Sequence, residues 1–87
     1  MEKRYVVAIC ESSWKGEGLD IYIKPESELK SFVYNNMSCH CVLDEEFEND
    51  DELEQFWNEV CDDVITDHVK EYEVLCSEAI IAIKKID

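Results

Sequence analysis

Residues that could bind a metal stand side by side at Cys39, His40 and Cys41. Thiolate and imidazole groups are the usual zinc ligands, and zinc holds its ligands in a tetrahedron. On a strand, Cys39 and Cys41 point to one face and His40 to the other, so the three cannot converge without a turn. Paired Cys-x-x-Cys knuckles are also missing. We predict no metal and no cofactor; the alternative is a Cys/His metal-binding or redox protein that also uses Cys61 and Cys76.

The cysteines also bear on the compartment in which the chain works. The chain has 5 cysteines, and Met1–Cys10 shows neither the long apolar core nor the small-residue cleavage site of a secretory signal. This combination indicates reduced thiols rather than a disulfide framework. No run approaches the ~18 apolar residues of a membrane span. We expect a single domain over residues 1–87 in the cytoplasm of a bacterial host cell.

Residues for hydrolytic chemistry are scarce. The chain has 2 histidines and no Ser-His-Asp or Cys-His pattern. His68 falls near the end of a predicted helix, where its charged form suits the negative end of the helix dipole. The spacing of a calcium-binding loop, with its central glycine and final glutamate, is also missing from the acidic part of the chain. The sequence therefore predicts no catalytic residues, and we expect a protein that is not an enzyme.

Negative charge is the strongest signal in the sequence. Residues 44–73 contain 14 acidic residues and one base, Lys70, and the whole chain has a net charge of −14. Residues 1–43 and 74–87 are therefore nearly neutral. Charge concentrated in this way repels nucleic acid and anionic membranes, and it attracts basic protein surfaces.

Part of this charge is unfavourable for the fold. Glu59 and Asp63, and likewise Asp63 and Asp67, are like-charged neighbours at i, i+4 on a predicted helix, and each such pair costs a few tenths of a kcal/mol. Acids near the end of a helix also oppose its dipole. A surface that is kept acidic at this cost suggests a partner. The candidate partner-binding residues are Asp44, Glu45, Glu46, Glu48, Glu52, Glu59, Asp62, Asp63 and Asp67.

The first half of the chain predicts a hairpin followed by a helix. Arg4–Cys10 is apolar on both alternating faces, which favours a central strand. Ser12–Gly18 contains both glycines and indicates the hairpin loop, in which Trp14 either anchors a partner or folds back over the sheet. Leu19–Lys24 alternates as an edge strand does, with Leu19, Ile21 and Ile23 forming the apolar face to be buried. Pro25 then opens a helix whose buried stripe is Leu29, Phe32, Val33 and Met37.

The second half predicts a strand, a long helix and a final strand. Ser38–Leu43 alternates, with Cys39, Cys41 and Leu43 on one face, and indicates a third strand. Asn49 with Glu52 resembles a capping box. The helix that it opens should end near Lys70 and be ~30 Å long. Its apolar stripe is Leu53, Phe56, Trp57, Val60, Cys61, Val64, Ile65 and Val69.

Ala79–Ile86 is apolar on both faces and should be a second central strand. The predicted fold is therefore α+β, in the order ββαβαβ. Its four-stranded sheet is mixed, because the last two strands should run parallel through a right-handed crossover.

An acidic helix of this kind is a rival to nucleic acid for a basic channel. DNA presents one negative charge per ~1.7 Å of its axis, and proteins that bind it carry basic surfaces to match. The expected partner is the basic surface of a nucleic-acid-binding protein. We expect no direct contact with nucleic acid or membrane, and a monomer or small homo-oligomer.

In composition, size and charge segregation the chain resembles the small acidic inhibitors that phages make against CRISPR and restriction nucleases. The resemblance covers overall character and no motif. It implies an inhibitor, of anti-CRISPR or anti-restriction type, that occupies a basic nuclease surface as a DNA mimic does. An immunity protein or antitoxin that neutralises a basic nuclease toxin remains an alternative.

Overall fold

The computed structural model describes residues 2–13 and 16–86 and has four strands and two helices in the order ββααββ. The elements are β1 (Arg4–Ser13), β2 (Gly16–Pro25), α1 (Glu26–Met37), α2 (Asp50–Ile65), β3 (Glu71–Leu75) and β4 (Ala79–Lys85). The strands form one sheet in the order β2-β1-β4-β3, and every neighbouring pair is antiparallel. The α+β class, the two helices and the number of strands are as predicted.

The hydrophobic core lies between one face of this sheet and the two helices. Alternate residues of the central strands face the helices, so Tyr5 and Val7 of β1 and Ile81 and Ile83 of β4 are completely buried. From the helices, Trp57 is also completely buried, and its ring contacts Phe56 edge-on at 5.1 Å between centroids. The central positions of β1 and β4 and the edge position of β2 agree with the sequence prediction.

The apolar stripe of α1 is confirmed, and that of α2 is confirmed through Ile65; Val69, its last predicted member, is partly buried but lies beyond the helix. Leu29, Val33 and Met37 of α1 are completely buried, and Phe32 is partly buried against Tyr22 of β2. In α2 the buried residues are Trp57, Val60, Cys61 and Val64, while Leu53, Phe56 and Ile65 are partly buried.

The predicted third strand, Ser38–Leu43, is wrong. Helix α1 continues to Met37, the His40 amide donates to the Met37 carbonyl at 3.0 Å, and only Val42 forms an isolated bridge, with Cys76. A turn follows at Asp44, whose φ of 66° is a left-handed conformation that aspartate tolerates better than most residues. The alternation across Cys39 and Cys41 was therefore too short a pattern to specify a strand.

The mixed sheet and the order ββαβαβ are wrong for the same reason. Without a strand before α2 there is no strand–helix–strand unit, and the fourth strand is instead β3, which pairs with β4 as an antiparallel hairpin. In β3, Glu71 and Glu73 alternate with the partly buried Tyr72 and the buried Val74. This strand was not predicted from the sequence.

Helix α2 ends five residues earlier than expected, at Ile65 rather than near Lys70. Thr66 caps it, because its backbone N–H and its hydroxyl both donate to the Asp62 carbonyl, at 2.8 and 2.7 Å. Asp67 follows with a φ of 63°, the left-handed conformation that commonly terminates helices. At 16 residues the helix is ~24 Å long rather than ~30 Å.

The second face of the sheet has no helix on it within the described residues. The predicted burial of Leu19, Ile21 and Ile23 is wrong, since they lie on this face and are 62, 63 and 58% exposed. The opposite side of β2 meets the helices instead: Tyr22 packs on Phe32 at 4.9 Å between ring centroids. Trp14, the candidate partner anchor or cover for the sheet, lies outside the described residues.

Candidate interaction surface

Residues 44–59, called the acidic segment below, hold nine acids and no lysine, arginine or histidine. All nine are exposed. They are Asp44, Glu45, Glu46, Glu48, Asp50, Asp51, Glu52, Glu54 and Glu59. The segment comprises the loop before α2 and the first ten residues of that helix. It is therefore a continuous stretch of backbone whose charge no base within it offsets.

The loop part of the acidic segment is held against the rest of the protein by apolar contacts. The Phe47 ring meets the Phe56 ring of α2 edge-on at 5.4 Å between centroids, and Phe56 in turn contacts Trp57 of the core. At its other end, the Leu43 amide donates to the Leu75 carbonyl at 3.1 Å, next to the buried Val42. These anchors place the loop acids beside α2 rather than leaving them on a free tail.

The junction between loop and helix is fixed by a modified capping box. The Asn49 side chain accepts a hydrogen bond from the Glu52 amide at 3.0 Å, as predicted. The Glu52 carboxylate accepts from the Glu48 amide at 2.8 Å, one residue before the position that this motif normally uses. Asp50, Asp51 and Glu52 lie in the first turn, where the positive end of the helix dipole favours anions.

Of the predicted acids in the second half of α2, one has a cationic neighbour and another lies near a histidine ring. Asp62 is 2.7 Å from the Lys30 ammonium of α1, and both side chains are about half exposed. Asp63 lies 3.9 Å from the His68 ring. Exposed pairs of this kind contribute little to stability, but they reduce the charge available to an external partner.

Asp67 has a cationic partner that contacts both of its carboxylate oxygens. The Lys85 ammonium donates to both carboxylate oxygens of Asp67, at 3.0 and 2.9 Å. Through this hydrogen bond Lys85 lowers the pKa of Asp67 below its ordinary value, and Asp67 raises the pKa of Lys85. The carboxylate therefore joins the end of α2 to β4, which is a structural role.

The nine predicted binding residues thus divide into two groups. The structure brings six of them together in the acidic segment: Asp44, Glu45, Glu46, Glu48, Glu52 and Glu59. The other three, Asp62, Asp63 and Asp67, each have an intramolecular partner. Asp50, Asp51 and Glu54 were not among the predicted residues, yet they are exposed in the same segment.

The cysteines lie in different surroundings. Cys61 is completely buried, and this burial raises the pKa of its thiol to about 12. Burial also raises the pKa of Cys76, while Cys39 and Cys41 are exposed. Within residues 2–13 and 16–86, no group of three or more His, Cys, Asp or Glu residues is placed to hold a metal ion.

A second surface, missed by the sequence analysis, is the sheet face away from the helices, called the open face below. Its apolar residues are Val6, Ala8, Cys10, Leu19, Ile21, Ile23, Leu75, Ile80 and Ala82. The signal was present, because apolar residues on both faces of β1 and β4 require cover on both sides. The open face was not predicted because the alternating pattern of β2 indicates one apolar side, and we expected that side to pack in the core.

Comparison of the chain with protein-family models, curated proteins and solved structures finds no match. Across the described residues, no helix combines the length and the apolar character needed to cross a membrane.

Proposed function

We propose that this chain is a binding protein, not an enzyme, which inhibits a nucleic-acid-binding enzyme in the bacterial cytoplasm. It does so by placing its acidic segment on a basic surface of that enzyme, as anti-CRISPR and anti-restriction inhibitors do. The observation that carries the proposal is the exposure of all nine acids between Asp44 and Glu59, in a segment that has no base.

The geometry of the acidic segment supports an electrostatic ligand. Loop and helix are fixed to each other through the Phe47–Phe56 contact and the Asn49 cap, so the charges are presented on an ordered backbone. Order of this kind reduces the conformational entropy lost on binding. Complementary charge also speeds association and disfavours acidic partners, including nucleic acid itself.

The alternatives differ in how the structure bears on them. An immunity protein or antitoxin would use the same surface on a toxin nuclease, so the same experiments identify it through the captured partner. The metal or redox alternative has no supporting geometry in the described residues, where Cys61 and Cys76 are buried and Cys39 and Cys41 are exposed.

The proposal is tested with a charge-reversal variant and a matched control. Glu45, Glu46 and Glu59 are replaced by lysine in the test variant, because all three are exposed and none forms the cap of α2. In the control, Glu11, Asp20 and Glu28 are replaced by lysine, which changes the net charge equally but outside the acidic segment. Immobilised wild-type protein first captures partners from bacterial lysate at low salt, and mass spectrometry identifies them.

Affinities of the three proteins for the purified partner then decide the outcome. We expect the test variant to bind at least about tenfold more weakly than wild type, and the control to bind within about threefold of it. Wild-type binding should weaken as salt rises, because exposed charges are screened over ~8–10 Å. Equal affinity for all three proteins, or a loss shared equally by both variants, would contradict a role for this segment.

A further inference from the structure

The open face has a ridge beside a hollow. Leu19, Ile21 and Ile23 project from the edge strand β2 and are the most exposed large apolar residues of the described chain. On the next two strands, the small residues Ala8 of β1 and Ala82 of β4 stand opposite each other, and Ala8 also pairs with Ile21 of the ridge. They line a depression of about 220 Å³ together with Val6, Lys84 and the two glutamates of β3, Glu71 and Glu73.

Because the ridge and the hollow lie side by side on one face, the open faces of two copies of the chain are complementary in shape. In a twofold dimer the same patch is used by both copies, so each residue that contacts a neighbour is contacted in return. Adjacent strands are ~4.8 Å apart, which places the ridge of β2 within ~10 Å of the hollow between β1 and β4. With a twofold axis between the ridge and the hollow, Ile21 of each copy packs on Ala8 and Ala82 of the other.

The size of the open face also fits a second copy. With the ridge of each copy over the hollow of the other, the overlap extends from β2 across β1 to about half of β4, which is ~12 Å. Strands β1 and β2 have 10 residues each, or ~33 Å, so the overlap is roughly 400 Å² in projection. Monomeric proteins seldom leave a larger apolar patch exposed, and patches of this size are often functional. Two copies remove about twice that projected area, and more once the protruding side chains are counted. The total approaches the ~1,000 Å² expected of a biological interface.

Charge does not oppose this association, although each copy carries a net charge of −14. The acidic helix α2 lies on the opposite side of the sheet. In a face-to-face dimer the two α2 helices would be roughly 30 Å apart, which exceeds the ~8 Å screening length at physiological salt several times over. Glu71 and Glu73 line the far side of the hollow, on the edge strand β3, so they lie at the border of the overlap, where Lys84 is the cross-strand neighbour of Glu71.

We infer that the open face is the interface of a homodimer, in which two copies stack sheet to sheet and expose their acidic segments on opposite outer sides. Burial of the ridge against the hollow supplies the stabilising contact. The inference rests on the sheet alone and is independent of the proposed function.

Sedimentation equilibrium of the full chain in the presence of a reductant, from about 1 to about 200 µM, tests the inference. The reductant excludes disulfide-linked dimers through the free cysteines, Cys10 on the open face among them. We expect wild type to reach twice the chain mass of 10.2 kDa within this range. Ile21→Lys on the ridge and Ala82→Phe in the hollow should each weaken dimerisation at least about tenfold.

Leu43→Lys is the matched control, because Leu43 is also 50% exposed but lies outside the sheet. It should dimerise as wild type does. Lysine is well tolerated on an edge strand, so we expect Ile21→Lys to fold. Circular dichroism of this variant is the check. The inference is overturned if wild type stays monomeric to about 200 µM, or if folded Ile21→Lys dimerises like the control.

Discussion

At the scale of single residues, Asp67 links the end of α2 to the sheet. Its left-handed backbone terminates the helix, and its carboxylate receives two hydrogen bonds from Lys85. Asp67→Asn is the informative change, since asparagine tolerates the same backbone conformation but carries no charge. We expect the variant to melt at a lower temperature than wild type at neutral pH.

The pH dependence of that difference follows from the lowered pKa of Asp67. A carboxyl whose folded pKa lies below its ordinary value of 3.8 stabilises the fold above pH 3.8, and this stabilisation is lost as the pH falls through the folded pKa. The melting temperatures of wild type and Asp67→Asn should therefore converge in strong acid. A difference that is unchanged down to pH ~2 would show that the ion pair is not its source.

The cysteines give a second prediction at this scale. Thiolates, not thiols, react with alkylating reagents, and the pKa of about 12 leaves Cys61 protonated at neutral pH as well as buried. We expect iodoacetamide to label Cys39 and Cys41 in the native protein, and to label Cys61 and Cys76 only after denaturation. Peptide mass spectrometry reads out each site, and rapid native labelling of Cys61 would contradict the packing of α2.

At the scale of elements, α2 is the main apolar contributor from the helices. Trp57 is completely buried, and within the described residues its indole N–H has no hydrogen-bond partner, so its contribution is packing. Trp57→Ala should lower the free energy of unfolding by ~3–5 kcal/mol, which is enough to unfold many domains of this size.

Trp57→Phe is the control for that change. It keeps an aromatic ring beside Phe56 and removes the unpaired N–H, so it should cost clearly less than the alanine variant. Thermal and urea unfolding measure both changes. A Trp57→Ala protein that melts within a few degrees of wild type would mean that the stripe of α2 is not the core.

Elements were predictable from the sequence where a pattern was long. Helix α2 has 16 residues with an apolar stripe from Leu53 to Ile65, and Asn49 before it carries a specific capping signal. Ser38–Leu43 and β3 are short segments, and a few alternating residues do not distinguish a strand from a loop. The end of α2 depended on Asp67, whose backbone conformation no periodicity reveals. The side of β2 that is buried depended on Tyr22 and Phe32 meeting across the fold.

At the scale of the whole molecule, charge and apolar surface are on opposite sides. The exposed acids between Asp44 and Glu59 lie on the helical side, whereas the ridge of Leu19, Ile21 and Ile23 lies on the open face. The charge was predictable because acidic side chains are almost always exposed. Which acids remain without a cationic neighbour was not, because Lys30 and Lys85 reach α2 and its end from distant parts of the sequence.

Competition with nucleic acid is the measurement that tests the central claim most directly. The captured partner is bound to a labelled DNA or RNA duplex, and displacement is followed by fluorescence anisotropy as the chain is added. The account predicts that wild type and the Glu11, Asp20 and Glu28 reversal displace the duplex at similar concentrations. It predicts that the Glu45, Glu46 and Glu59 reversal needs at least about ten times more protein. Displacement by all three proteins at the same concentration, or by none of them, would contradict it.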